Sequence, residues 1–189
     1  MVNMRERLRH ILAQRQRHCI TDDSQISAAV LVPLFFKQGQ YHLLLTKRTD
    51  KVKDHKGQIS FPGGVFEEGD ETLLDTALRE CSEEIGLTPE DVQILGALDD
   101  EVIVATNYRV SPFVGFIPWP YRFQPNEDET AKIIEIPIEA FLKHDEFKSP
   151  DDETASSYVY RYQDDIIWGA TARILSNFLD IFVRAMSDR

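Results

Sequence analysis

Three glutamates, Glu80, Glu83 and Glu84, stand together in a segment with helical spacing, Glu71 to Ile85, that stops at Gly86. At about 100° per residue, Glu80 and Glu84 lie one turn apart with Glu83 beside them, so three carboxylates share one face. Leu74, Ala77, Leu78, Cys81 and Ile85 fall in another sector and must be buried, which makes Cys81 a small core residue rather than a nucleophile. Like charges at i and i+4 repel, and here they sit toward the negative end of the helix dipole. A solvated acidic face is the plain alternative. Two features argue against it. The arrangement costs stability, and Phe61-Pro62-Gly63-Gly64 lies just upstream, where missing side chains let backbone approach another group closely. Clustered oxygens are what a hard divalent ion requires when it bridges carboxylates to substrate phosphates.

The elements that must position this helix are legible around it. Ser27 to Phe36 and Tyr41 to Thr46 are apolar runs joined by a polar, glycine-containing turn, a hairpin. Val92 to Leu98, Val102 to Ile117, Lys132 to Ile136 and Ser157 to Tyr162 are expected strands, and Pro137 to Leu142 a short helix opened by proline. From Gly169 to Met186, Ile174, Leu175, Phe178, Leu179 and Phe182 recur at helical spacing as a core-facing stripe. Strands interleaved with helices make an α/β or α+β sandwich. No repeat or low-complexity linker divides the chain. Residues 1–22 are expected to form a basic amphipathic helix packed on a single domain of residues 23–189, with a targeting role for the arginines as the lesser alternative.

Composition narrows the function. Lys and Arg total 21 against 32 Asp and Glu, a formal charge of −11, so a nucleic-acid backbone would be repelled by most of the surface. The longest apolar run, Ala28 to Phe36, contains Pro33 and falls far short of the ~20 residues of a spanning helix. Neither nucleic acid nor membrane is an expected partner. The two cysteines form no disulfide framework, which favours a reducing, cytoplasmic setting, and the five histidines form no zinc pattern. Lys47, Arg48, Lys51, Lys53 and Lys56 form a local positive island, diluted by Asp50 and Asp54, that could bind a phosphate.

The stretch Gly64-x5-Asp70-x8-Arg79-Glu80-Cys81-Ser82-Glu83-Glu84-Ile85-Gly86-Leu87 resembles the Nudix box, GX5EX7REUXEEXGU. The second half matches at every defined position. In the first half one residue is inserted, which leaves Asp70 and Glu71 as alternatives for the early acidic role. The segment from Leu44 to Gly64 is similar to the signature LLTxRSxxLRxHxGxxxFPGG of the coenzyme A diphosphatase branch, with Thr49, Val52 and Lys53 as conservative departures. The insertion is usual in that branch. Leu98-Asp99, Tyr108-x-Val110-x-Pro112, Asp128-Glu129 and Trp168-Gly169-x-Thr171-Ala172 extend the likeness, which runs from about Ala28 to Leu175; Asn107 stands where glycine is expected and Thr130 where valine is.

The resemblance implies a Nudix-type α/β/α sandwich with a mixed β-sheet between helices. It implies Mg²⁺- or Mn²⁺-dependent hydrolysis of the diphosphate in coenzyme A or an acyl derivative, giving adenosine 3′,5′-bisphosphate and 4′-phosphopantetheine. Glu80, Glu83 and Glu84 would be metal ligands; Glu83 is alternatively the general base, with Glu129 its rival and Glu84 also catalytic. Arg79, four residues before Glu83, is expected to orient a box glutamate. Arg48, Lys53, His55, Gly63, Gly64 and Tyr108 are the implied substrate contacts, although His55 fits a turn cap equally well. Tyr108 or Trp168 could stack on adenine; Trp168 reads better as core. A homodimer is an expected assembly by analogy. The alternatives are a Nudix hydrolase of ADP-ribose or a nucleotide sugar, and a non-catalytic binding module, against which the intact glutamate set speaks.

Overall fold

Alternation along two strands sets up the architecture. The computed structural model describes residues 3–22, 24–51, 56–142 and 158–187. In β1 (Ile26–Lys37), Ala28, Val32 and Leu34 enter one core, while Ala29, Leu31 and Phe35 enter another on the opposite side. In β2 (Gln40–Arg48), Leu43 and Leu45 face the first core and Leu44 the second. A strand with side chains buried on both faces belongs in the middle layer of a sandwich.

The sheet continues with β3 (Ile59–Ser60), β4 (Gly63–Val65), β5 (Gln93–Ala97), β6 (Glu101–Ile103), β7 (Tyr108–Phe116) and β8 (Thr130–Pro137). The path runs β3-β2-β1-β7-β5, with β4 on β1, β6 on β7 and β8 on β2. β1 and β7 are parallel from Ile26↔Tyr108 to Leu34↔Phe116 and the other pairs antiparallel, so the sheet is mixed. α2 (Leu73–Ile85) covers one face through Ala77, Cys81 and Ile85. The other face is covered by α1 (Met4–Gln14), α3 (Ile138–Leu142) and α4 (Gly169–Ser187), where Ile174, Leu175, Phe178 and Phe182 are buried. A small hairpin, β9 (Tyr160–Tyr162) and β10 (Asp165–Ile167), completes the described residues. This is a mixed α+β sandwich.

α1 is seated against β5 and α4. Leu8 and Leu12 are buried, and an added Cβ at Gly96 would stand 2.6 Å from that of Leu12. Only glycine leaves the helix room there. The arginines that follow are tied to the sheet, Arg15 to Asp99 at 3.0 Å and Arg17 to Asp100 at 2.6 Å.

Some boundaries differ from those expected. α2 starts at Leu73, because Thr72 and Asp75 form a reciprocal capping box that leaves Glu71 outside the helix. The strand expected from Val102 to Ile117 is broken into β6 and β7 by a turn in which Asn107 has φ +55° and donates to the Ser24 carbonyl. Asparagine tolerates that left-handed conformation, which accounts for its standing where glycine is expected. Pro137 ends β8 instead of opening α3. The second strand of the β9–β10 hairpin, Asp165–Ile167, has no counterpart among the expected strands.

Candidate functional site

β1 and β2 pair with each other only through Leu34–Lys37 and Gln40–Leu43; beyond that they diverge. The gap is filled by residues 58–66. Arg48 donates its N–H to the Gln58 carbonyl, Leu31 to Pro62, and Phe66 to Ser27, while Gly63 and Gly64 pair with Val30 and Ala29. The glycines are dictated by this insertion. A Cβ on Gly63 would collide with the Ala29 carbonyl and lie 2.6 Å from Val30 Cα; one on Gly64 would collide with the Glu80 carboxylate. The diglycine therefore lets a strand slide against β1 on one side and against a carboxylate of α2 on the other.

On α2 the three glutamates separate by angle. Glu84 is turned inward with its side chain 4% exposed, Glu80 stands at the edge, and Glu83 faces solvent at 56%. At about 100° per residue, Glu83 and Glu84 must point ~100° apart with Glu80 between them. Among the described residues no three acidic, histidine or cysteine groups are gathered closely enough to hold an ion as they lie. The expected trio is thus placed as an inward pair and an outward neighbour.

Arg79 organises the edge. It donates to Glu80 at 2.9 Å, to Glu83 at 3.2 Å, to the Val65 carbonyl at 3.1 Å and to both oxygens of Asp70, at 2.9 and 3.2 Å. Asp70, not Glu71, is therefore the early acidic partner: it is buried and also accepts from the Thr76 hydroxyl at 2.8 Å, whereas Glu71 is exposed. The guanidinium holds the Asp70 carboxyl down to about 2. Spacing to Arg79 alone points to Glu71, because the loop before the helix cap is not helical.

Glu84 has the opposite environment. Burial pushes its carboxyl up to about 8, with Glu80 and Glu129 adding negative charge; Arg48, whose Nη1 lies 3.7 Å from Glu84 Oε1, only partly offsets them. Glu84 Oε2 is buried without a hydrogen-bond partner. Burial likewise raises Glu80, opposed by Arg79. Glu129 is brought close by a loop hung on the end of α2, where Gln124 and Asn126 donate their N–H groups to the Ile85 and Glu84 carbonyls. Asn126 also donates its side-chain amide to Glu129, at 3.4 Å. Asn126 is not among the expected site residues; its signal is a local Asx turn, in which its side-chain amide oxygen accepts the Asp128 N–H at 3.1 Å. A hard divalent cation fits this donor set: oxygen-only ligands, two carboxyl groups held near each other, and an unsatisfied inward-facing oxygen.

Four of the remaining expected contacts, Arg48, Gly63, Gly64 and Tyr108, line one cavity, the first three beside the carboxylates and Tyr108 at the start of β7. Lys53 and His55 lie outside the described residues. Two lysines of the positive island are ion-paired: β10 brings Asp165 to Lys47 at 2.9 Å and the acidic loop brings Asp128 to Lys51 at 2.9 Å. Trp168 is half-exposed rather than core, since it precedes Gly169, which turns the chain into α4 with φ +64°. Cys81 is wholly buried, and burial pushes its thiol well up, as a core residue requires.

A family model described as NUDIX domain matches residues 25–162. The Nudix hydrolase NudL of Pectobacterium atrosepticum is 39% identical over 155 residues, 80% of either chain. NudL of Yersinia pestis is 38% identical over 152 residues, 78% of this chain and 75% of that one. Among solved structures, a MutT/nudix family protein from Enterococcus faecalis superposes with TM-score 0.58 at 14% identity over 99% of this chain and 76% of its own. A Caenorhabditis elegans Ap4A hydrolase gives 0.52 at 20% identity over 62% of this chain and 84% of its own. These two likenesses speak to the fold.

Proposed function

The chain belongs to the Nudix family and is a Nudix hydrolase, and from that footing we propose that it cleaves the diphosphate of coenzyme A or acyl-coenzyme A, releasing adenosine 3′,5′-bisphosphate and (acyl-)4′-phosphopantetheine. The observation that carries this reading is that the segment similar to the coenzyme A diphosphatase signature, Leu44 to Gly64, leads into the catalytic edge: its Arg48 stands against Glu84 and its Gly64 against Glu80.

Glu80 and Glu84, with Glu83 at their flank, would hold Mg²⁺ or Mn²⁺, which when bound supplies positive charge against the diphosphate and acidifies water. Arg79 fixes Glu80 in place and is itself fixed by Asp70, so the ligand edge is set before substrate arrives. A water oxygen attacks one phosphorus in line, the bond from that phosphorus to the bridging oxygen breaks, and the departing phosphate keeps the electron pair. Glu129, within electrostatic reach of both inward glutamates, takes the proton of the attacking water; Glu83 is its competitor for that task. Arg48 offers its guanidinium to a phosphate oxygen, and its buried Nε, without a partner, is a donor still to be satisfied.

The test is to incubate the protein with coenzyme A, ADP-ribose and a nucleotide sugar, with Mg²⁺ or Mn²⁺ and with chelator, and to identify products by mass. Coenzyme A should be split at the diphosphate and chelator should stop it. Equal turnover of substrates lacking the ribose 3′-phosphate would overturn the coenzyme A assignment.

A further inference from the structure

Glu129 lies on the loop that runs from Gln124 to the start of β8 at Thr130. A loop side chain can serve as a proton acceptor only where its backbone is held from more than one side. On the α2 side the holding residue is Asn126. It donates its N–H to the Glu84 carbonyl at 2.9 Å, and its own carbonyl accepts the N–H groups of Glu129 at 3.0 Å and Thr130 at 2.7 Å, which closes the loop into a turn. Its side-chain amide reaches the Glu129 carboxylate at 3.4 Å.

On the β2 side the holding residue is Thr49, one position beyond the strand. It donates its N–H to the Glu129 carbonyl at 2.9 Å and its hydroxyl to the Asp128 carbonyl at 2.8 Å, and the same hydroxyl accepts the Lys51 N–H at 3.3 Å. Thr49 is only 7% exposed, although Asp50 beside it is exposed. A buried hydroxyl needs a partner, and this one gives its proton to the main chain of the loop that carries Glu129. The β2–β8 ladder skips a residue just here, between Lys47↔Lys132 and Arg48↔Thr130, a bulge of the kind that re-aims residues at a strand end. The exposed pair of Lys51 with Asp128 adds little to this hold. Glu129 is thus fixed both to the helix end that carries Glu84 and to the strand end that carries Arg48.

We propose that Thr49 and Asn126 are positioning residues of the hydrolysis, which together keep the Glu129 carboxylate facing the edge formed by Glu80 and Glu84 and act only through it. The proposal rests on the reading of Glu129 as the acceptor of the water proton. Releasing either hold should lower kcat about tenfold or more by misplacing that group. KM should stay within about twofold, because neither side chain is given a substrate contact.

The experiment measures kcat and KM of the full-length protein at saturating Mg²⁺ for Thr49→Val, Thr49→Ser, Asn126→Ala, Glu129→Gln, and Thr49→Val or Asn126→Ala combined with Glu129→Gln, with circular dichroism to verify folding. Coenzyme A and ADP-ribose are both used as substrates, and the kinetics are read on the one that is hydrolysed, so the outcome does not depend on the coenzyme A assignment. Thr49→Val and Asn126→Ala should be slow with KM unchanged, and Thr49→Ser, which keeps the hydroxyl, should stay within about threefold of the wild type. Neither Thr49→Val nor Asn126→Ala should slow Glu129→Gln further, because both act through the group already removed. Asn126→Ala, at a half-buried loop position, carries the test independently of the buried site. Wild-type kcat in either folded variant, with Glu129→Gln slow, overturns the positioning role and leaves Glu129 as the base. A serine variant as slow as the valine one, a loss expressed in KM alone, or full additivity with Glu129→Gln overturns it as well. Wild-type kcat in Glu129→Gln overturns both the base assignment and the positioning role.

Discussion

Replacing Asp70 by Asn isolates the charge on which the Arg79 network turns. The Asp70 carboxylate is almost fully buried, accepts two bonds from Arg79 and one from Thr76, and titrates at about 2 in place of the ordinary 3.8. A depression of that size is worth about 2 kcal/mol of folding stability at neutral pH. Its sign follows from proton binding: the unfolded chain binds the proton first on acidification, so the stabilisation is complete above about pH 4 and is lost as pH falls through about 2, roughly half of it by about pH 3. Asparagine keeps the shape, but both Asp70 oxygens accept from donors, Oδ1 from Arg79 and Oδ2 from Arg79, Thr76 and the Glu67 N–H, so its amide nitrogen faces a donor and a pH-independent cost adds to the charge-dependent part. Urea unfolding of the wild type and Asp70→Asn at pH 7 should therefore differ by about 2 kcal/mol or more, and the gap should shrink by about 1 kcal/mol at pH 3. Glu71→Gln, at the exposed neighbour, should stay within about 0.5 kcal/mol of wild type at both. A gap that does not change between pH 7 and pH 3, or an equal cost for Glu71→Gln, would refute the assignment of the early acidic role to Asp70.

Gly64→Ala should leave stability within about 1 kcal/mol, because the Glu80 carboxylate it strikes ends a flexible side chain, yet reduce turnover tenfold or more by displacing that ligand; Gly63→Ala, which strikes Ala29 backbone, should destabilise by about 2 kcal/mol or more in urea unfolding. In metal-free protein, Glu84 at about 8 binds its proton more tightly folded than unfolded, so stability should decline as pH rises from about 4.5 to 8, a decline that Glu84→Gln should abolish together with turnover, as thermal melts in chelator would record. Added Mg²⁺ should raise the melting temperature of the wild type at pH 8 and leave that of Glu84→Gln nearly unchanged. Iodoacetamide should label native protein at exposed Cys19 and spare buried Cys81, read by peptide mass mapping.

The division between what was legible in the sequence and what was not follows the range of the interactions involved. The burial of Ala77, Cys81 and Ile85 on α2, its stop at Gly86 and the stripe of α4 depend on periodicity within one helix and stand as read, whereas Leu74 and Leu78, expected on the same face of α2, are only half-buried. Asp70, the neutralised lysines and exposed Trp168 depend on what another segment brings alongside. Asp70 meets Arg79 across a non-helical loop, and Lys47 meets Asp165 across 118 residues of chain. Spacing carries no information about such partners. The separation of Glu83 from Glu84 was within reach, since a 100° difference follows from adjacency alone, but which of the two turns inward depends on where β1 and β4 lie.

That inward turn explains why the carboxylates are tolerated. A glutamate on a helix face packed against a closed sheet would meet only apolar side chains, and an ionised group there would be untenable without a partner. Here the sheet is open along part of its length. β1 and β2 part, residues 58–66 occupy the opening, and the two glycines leave a side-chain-sized space into which Glu80 fits and beside which Glu84 meets Arg48. One divergence of two strands thus accounts both for a buried acidic pair and for the two glycines beside it.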